Sequence, residues 1–447
     1  MCHAGGIAPQ LLPHANCDTS FRATEVRRAG AARLVTDPLS MQTETRDYLI
    51  VSPYFPPSGN PLAHQVRTLV AYLLSAGNAV DVICASETHL EPAMASAHDT
   101  VVGANNLNTY RFGGNWSCAR QPLLIKTYRL FKPTDTYVHL RGLLRTLKTV
   151  LARNRYRFLL SISDPLASHE AVLRMRPQVG KMAFYFSDPV PRVEDRHMMR
   201  LRARRHSCQR LACRCVEAAA VCWAPAEETF GFLKGDSKLT ERLLVVPHYF
   251  DRGDWPFPPA ATAPRETITL LHCGAIYYKR RPHVLLEGVA ALRARTGINL
   301  RARLLGYCDP DIKAGIEHTR YASFASFEDS VPLSAAKGAI TRADIACVID
   351  CDLPKNVHLP SKVADYVGAC KPILYIGRPD SPTCRLLAGV HPAFAQASTP
   401  EEVARAIQRL VERSRTASPD EYRPAYEMLL VDNAIRPLLG RLESVEA

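Results

Sequence analysis

The feature that most constrains this chain is an alternation of short apolar runs with helix-patterned stretches, which stops once and then restarts. "DYLIVSP", beginning at Asp47, reads as a buried strand, and "YFPPSGNP" as a loop. A helix follows from about Leu62 to Ala76, with Leu62, Val66, Leu69, Val70 and Leu73 on one face at helical spacing. Gly77 suits its end, and "AVDVICA" is the next strand. Such a strand–loop–helix–strand unit favours parallel pairing. "FLLSIS", "MAFYFS", "AAAVCWAP" and "LLVVPHYFD" continue the series, with a long helix through "MMRLRARRHSCQRLACRCVE". The apolar runs lack clean alternation, as strands do when helices cover both faces of a sheet.

"DRGDWPFPPAATAPRE" then interrupts the pattern with Pro and Ala and no periodicity. Beyond it the strands "TITLLHC", "RARLLG", "DIACVID" and "KPILYIG" alternate with helical stretches such as "RPHVLLEGVAALRAR", "SKVADYVGA" and "TPEEVARAIQRLVERS". The expectation is α/β: two tandem, doubly wound, Rossmann-like domains with an interdomain cleft. They span residues 47–250 and 267–425, joined by a linker at 251–266. Residues 426–447 read as a helix that packs back on the first domain. Residues 1–46 have no periodicity and read as a disordered tail, within which Met41 is an alternative start. Ligands in such sheets sit at the carboxyl ends of the strands.

Composition narrows the class. The chain has 447 residues, 47% hydrophobic and 22% charged, which is ordinary for a soluble protein. No apolar run reaches the roughly 18 residues of a membrane span. The 14 cysteines are scattered, several in apolar strands (Cys84, Cys222, Cys273, Cys347), which suits free thiols in a reducing cytoplasm. Cys208, Cys213, Cys215 and Cys222 cluster without paired C-x-x-C spacing, so no metal site is expected there. The net charge of +13 is concentrated: Arg120–Cys215 carries 21 Lys and Arg against 6 Asp and Glu. That excess suits an anionic partner, either a membrane surface or phosphates, or else a solvated face. Nucleic acid is not expected, because no recognised binding module accompanies the charge.

Several motifs in order carry a family resemblance. "GAIYYKRRPHVLLEGV" opens the second domain, "PSKVADYVGACKPIL" lies further on, and "VVPHYFD" stands at the hinge. "YFPPSGNPLAHQVRTLVAYLLSAG" and, more loosely, "FYFSDP" stand in the first domain. Together, over about Asp47 to Gly440, they resemble GT-B glycosyltransferases, above all the retaining enzymes of family 4. The resemblance implies a nucleotide-sugar donor and a glycan or lipid-linked acceptor. It matches Asp365 to the family's Glu and Arg280 to its phosphate-binding Lys. Val357 stands where the family has a further Glu, and Ala275 where many members have Arg.

The residues themselves suit that chemistry. The helix start after Pro360 offers N–H groups, Ser361 can cap it, and Lys362 adds a full charge for a diphosphate. Asp365, one turn on, can accept from ribose hydroxyls; the bland alternative is a capped helix. Gly274 ends a strand before Lys279, Arg280 and Arg281, and a fixed cation there would stabilise the departing phosphate. Gly59 would let the first-domain loop approach the acceptor or the donor phosphate. His169, just past a strand end, stands near where the resemblance implies a His that contacts the donor sugar; His64, on the first turns of the first helix, is a further functional candidate, and Asp188 is a candidate to face the acceptor hydroxyl. "DCD" at Asp350–Asp352 closes a strand outside any metal-dependent context, so neither a metal nor a cofactor beyond the nucleotide-sugar substrate is expected. The reading is a metal-independent hexosyltransferase-like enzyme of polysaccharide or surface-glycan assembly, cytoplasmic and peripheral to the membrane. The alternatives are a nucleotide-sugar 2-epimerase and a non-catalytic sugar-nucleotide-binding homologue, the latter favoured by Val357 and Ala275.

Overall fold

Parallel strands organise both halves of the chain. The computed structural model describes residues 44–85, 106–112, 136–163, 166–176, 180–190, 202–233, 237–259, 266–317 and 319–444. The tail expected at 1–46 lies outside these apart from its last three residues, which begin a strand. The first sheet contains β1 (Glu44–Val51), β2 (Val80–Ala85), β3 (Leu107–Phe112), β4 (Asn154–Ile162), β5 (Lys181–Tyr185), β6 (Val221–Ala224) and β7 (Leu243–Val245). Their order is β3-β2-β1-β4-β5-β6-β7. The second contains β8 (Ile268–Cys273), β9 (Leu300–Leu305), β10 (Ala325–Glu328), β11 (Ile345–Ile349), β12 (Ile373–Ile376) and β13 (Phe394–Ala397), in the order β10-β9-β8-β11-β12-β13. Every pairing is parallel, for example Tyr48 opposite both Val80 and Phe158, and Leu270 opposite Ile345. The strand order reverses between β1 and β4 and again between β8 and β11, so each sheet has its own switch point.

Helices cover the sheets for the reasons the spacing implies. Helix α1 (Pro61–Ser75) starts where Asn60 Oδ1 accepts from the Leu62 N–H at 2.8 Å, and it buries Val66, Leu69, Val70 and Leu73. Helices α2 (Thr136–Arg153), α3 (Ala167–Arg174) and α4 (Arg202–Ala218) lie side by side on the other face. Leu140, Leu143, Leu147 and Val150 face inward from α2, while Arg141, Arg145 and Lys148 are exposed. In the second domain come α5 (His283–Thr296), α6 (Pro310–Glu317), α7 (Leu333–Arg342), α8 (Lys362–Gly368), α9 (Pro382–Leu387) and α10 (Pro400–Thr416).

The linker expectation needs correcting at its start. Within 251–259, Trp255 is buried in the second core, and Phe257 packs against the same cluster. A Cβ on Gly368 would lie 2.8 Å from the Trp255 ring, so glycine is what admits the indole. The chain end crosses between domains. Tyr422, Tyr426 and Leu429 of α11 (Pro419–Leu429) join the second core. Val431 and Ala434 of α12 (Val431–Ala434), with Leu438 and Leu442 of α13 (Arg436–Ser444), join the first, beside Tyr48 and Phe158. Burying a Leu or Val side chain stabilises by about 1.5–3 kcal/mol, so this crossing fastens the halves together.

One buried polar cluster ties down the amino ends of the first sheet. Asp81, fully buried, takes Arg46 Nε at 2.7 Å and Asn108 Nδ2 at 3.0 Å, and accepts from the Tyr156 hydroxyl. It lies at the opposite end of the strands from the switch point.

Candidate functional site

The carboxyl end of β8 is built for close approach to its backbone. Gly274 follows the strand with φ +145°, and Gly306 follows β9 with φ +129°, both in the region that favours glycine. A Cβ on Gly306 would come within 2.9 Å of the Gly274 carbonyl carbon, so the two backbones are in contact. A Cβ on Gly274 would come within 2.4 Å of Lys362 Nζ. The lysine, first residue of α8, thus lays its ammonium across the Gly274 backbone. Its second anchor is His272 in β8, whose Nε2 is 3.1 Å from Nζ.

Arg280 supplies a second cation. Its backbone forms an antiparallel bridge with Cys351, just past β11, and the Asp352 N–H donates to the Lys279 carbonyl at 3.1 Å. These bonds stitch the loop after Gly274 to the far side of the switch point. The Arg280 guanidinium lies 4.7 Å above the Tyr277 ring, which orients it. Burial, then the nearby Arg280 charge, pushes the Lys362 ammonium down to about 7. Burial, then the Lys362 charge, holds His272 well below the usual histidine range. The Arg280 charge thus opposes protonation of Lys362, and Lys362 in turn that of His272.

The helix start itself behaves differently from the expectation. Ser361 has helical dihedrals (φ −58°, ψ −31°) and makes no capping hydrogen bond. The Val363 and Ala364 N–H groups are taken by the Pro360 and Ser361 carbonyls, both at 3.1 Å. The tight first turn satisfies its own donors, so the positive charge here comes from the Lys362 side chain. Asp365 points toward the first domain. Its Oδ1 accepts from the Trp255 indole N–H at 3.1 Å and lies 3.8 Å from His64 Nε2. Its Oδ2 has no hydrogen bond among the described residues. Asp350 of the "DCD" stretch is buried and accepts from the Tyr375 hydroxyl and the Cys351 N–H, both at 2.7 Å. Among the described residues no group of three or more His, Cys, Asp or Glu is placed to hold a metal ion.

The first-domain candidates divide. Asp188, past the end of β5, reaches the second domain: its Oδ1 lies 3.6 Å from His358 Nδ1, in the loop before α8. Buried His248 sits near Asp188, pushed down to about 4 by burial, with its ring bonded to the Leu359 backbone. Gly59 is exposed on its loop and is absent from the positive-φ positions. His169 is 0% exposed, its Nδ1 2.8 Å from Ser161 Oγ and its ring edge-on to Phe184 and Phe186. It is enclosed in the first core, not brought to Lys362 and Arg280. Sequence reasoning missed His272, Gly306, Trp255 and His358. His272 is hidden inside an apolar strand run, and only tertiary contacts reveal the other three.

No family model matches the chain, and no curated protein matches it. Solved structures do. A sucrose-phosphate synthase from Thermosynechococcus elongatus superimposes with a TM-score of 0.64 at 13% identity, over 89% of this chain and 98% of that one. WaaG, a glycosyltransferase involved in lipopolysaccharide biosynthesis, gives 0.59 at 11%, over 90% and 100%. HepE from Anabaena, in complex with UDP-glucose, gives 0.58 at 12%, over 90% and 100%. At these identities the likeness shows the fold, which is the two-domain GT-B fold.

Proposed function

We propose that the chain is a retaining glycosyltransferase that moves a sugar from a nucleotide diphosphate sugar to a hydroxyl of a glycan or glycolipid. The observation that carries this is Lys362 laid over the Gly274 backbone at the switch point of the second sheet, with the Arg280 charge near enough to oppose its protonation. A diphosphate is the ligand class that two neighbouring cations suit. Asp365 Oδ2 then accepts from the ribose, while Oδ1 stays with Trp255. As the glycosidic bond breaks, charge grows on the departing phosphate, and Lys362 and Arg280 stabilise it without reorganising. No bound metal or cofactor is needed, because side-chain cations fill that role. Asp188, held near His358 at the domain boundary, would face the acceptor in this reading. In this reading Ser361 and Lys279 would also contact the donor, and Gly59 the acceptor or the donor phosphate.

The acceptor is proposed to be a lipid-linked glycan met at an anionic membrane surface. The exposed Arg141, Arg145 and Lys148 of α2 and Arg210 and Arg214 of α4 support this reading. Among the described residues no helix is long and apolar enough to cross a membrane. The test is a panel of nucleotide sugars screened by thermal shift, followed by turnover on lipid-linked acceptors in the presence of EDTA. Acceptor-dependent release of the nucleoside diphosphate supports the proposal. Donor consumption without acceptor supports the epimerase instead, and absence of any nucleotide-sugar binding refutes both.

A further inference from the structure

Lys362 and His272 form a pair whose purpose is not explained by a simple phosphate-binding lysine. An exposed ammonium would bind diphosphate without an imidazole behind it. Here the ring is fully buried, and its Nδ1 lies 3.0 Å from the Cys347 carbonyl, with the Ile349 N–H a weaker competitor at 3.3 Å. A carbonyl can only accept, so the ring proton sits on Nδ1 to bond Cys347, which leaves Nε2 to accept from Lys362. His272 is therefore locked as a neutral acceptor aimed at Lys362. The other groups facing the lysine are the cation Arg280, the thiols of Cys273 and Cys351, and the buried Asp350 carboxylate. Asp350 is already committed to Tyr375 and the Cys351 N–H.

We infer that His272 is a positioning residue that holds Lys362 over Gly274 in a proton-exchanging state, so that donor binding is coupled to uptake of a proton by the lysine. This rests on the donor reading of the site. In the empty site, Arg280 and burial oppose a second full charge. When a diphosphate arrives, its two negative charges reverse that balance, and the lysine takes a proton from solvent. The mass balance is one proton gained at Nζ, with no bond made or broken in the donor. The consequence is that donor affinity falls as pH rises above neutrality, while an ordinary lysine would stay charged to about pH 10.

The experiment is titration calorimetry of the full chain with UDP-glucose, ADP-glucose and GDP-mannose in buffers of different ionisation heat. Their diphosphates are diesters that do not titrate near neutrality, so uptake reports the protein. At pH 7.5 the bound donor should bring net uptake of a fraction of a proton, and the uptake should grow as pH rises to 8. Uptake should vanish in Lys362→Met. His272→Phe should weaken donor binding by about tenfold at pH 8 and by about twofold at pH 6, because acid restores the charge that the ring helped to hold. His272→Gln, which keeps an acceptor, should recover most of the loss. A purely structural His272 would give a loss independent of pH. Binding without uptake, or uptake that persists in Lys362→Met, overturns the inference and leaves the donor reading standing. Failure of all three donors to bind overturns both.

Discussion

The Trp255 indole N–H donates to Asp365 Oδ1 at 3.1 Å, joining the segment between the domains to the helix that carries Lys362. Asp365 thereby has one oxygen committed to the protein, and its position depends on a residue outside its own domain's sheet. Arg67 of α1 and Lys337 of α7 meet across the same segment on Asp254, with Lys337 Nζ 2.6 Å from Oδ1. The cleft is thus pinned just behind the proposed donor site.

Asp365→Ala should weaken donor binding by about ten- to a hundredfold, the range of a hydrogen bond to a charged group, at roughly 1.5–3 kcal/mol. Trp255→Phe keeps the packing and deletes only the indole donor, so it should cost less, about two- to tenfold. Calorimetry on both variants checks the order. Equal affinity of Asp365→Ala and the parent would leave the carboxylate as an interdomain contact alone.

Arg280→Ala should reduce turnover more than donor affinity, because its partner gains charge only as the glycosidic bond breaks. Comparing kcat with donor affinity decides the point. Full turnover in this variant would move the role to Lys279 or Arg281.

Gly274→Ala should be costly twice over. A side chain at φ +145° is strained by about 1–3 kcal/mol, and its Cβ would collide with Lys362 Nζ. Urea unfolding should register the strain, and donor binding the displaced ammonium. A variant with unchanged affinity would mean that Lys362 need not lie over this backbone.

Acid should destabilise the fold through its buried histidines. His169 and His391 are held at about 3 and His248 at about 4, all by burial, against an ordinary 6.5. Each folded pKa is depressed, so the unfolded chain binds the proton first. Stability is therefore complete above about pH 6.5 and falls below it, by up to about 1.4 kcal/mol per pH unit for each ring, until the folded values are reached. Urea unfolding between pH 7 and 5 should show this slope, and His169→Gln should reduce it by one proton. An unchanged slope would place His169 in contact with water.

The basic face should bind anionic vesicles. Co-sedimentation should rise with anionic lipid and fall with salt, since exposed charges are screened within about 10 Å at 0.1 M. Replacing Arg141, Arg145 and Lys148 with Glu should remove most of the binding, at about 1 kcal/mol for each basic charge lost. Equal sedimentation with neutral vesicles would leave the face as a solvated one.

Much of the architecture was legible in the sequence because central strands of a parallel sheet are buried on both faces. "DYLIV", "FLLSI" and "DIACVI" have no other reading. The strands missed, β3, β10 and β13, all lie at sheet edges, where "LNTYRF", "ASFE" and "FAQA" are half exposed and carry no continuous apolar signal. Helix α2 carries a legible signal, since Leu140, Leu143, Leu147 and Val150 have helical spacing and are all buried. For the candidate site, local sequence pointed to Gly274, Arg280 and Lys362, because a glycine after a strand and cations near a helix start are near-neighbour patterns. It could not place His272 behind Lys362, Gly306 against Gly274, Trp255 on Asp365 or His358 beside Asp188. Those contacts join residues far apart in the chain, and only strand order and the packing of one domain against the other bring them within hydrogen-bonding or van der Waals reach. The same packing enclosed His169, whose position near a strand end suggested the cleft, because Phe184 and Phe186 close over its ring from the neighbouring strand.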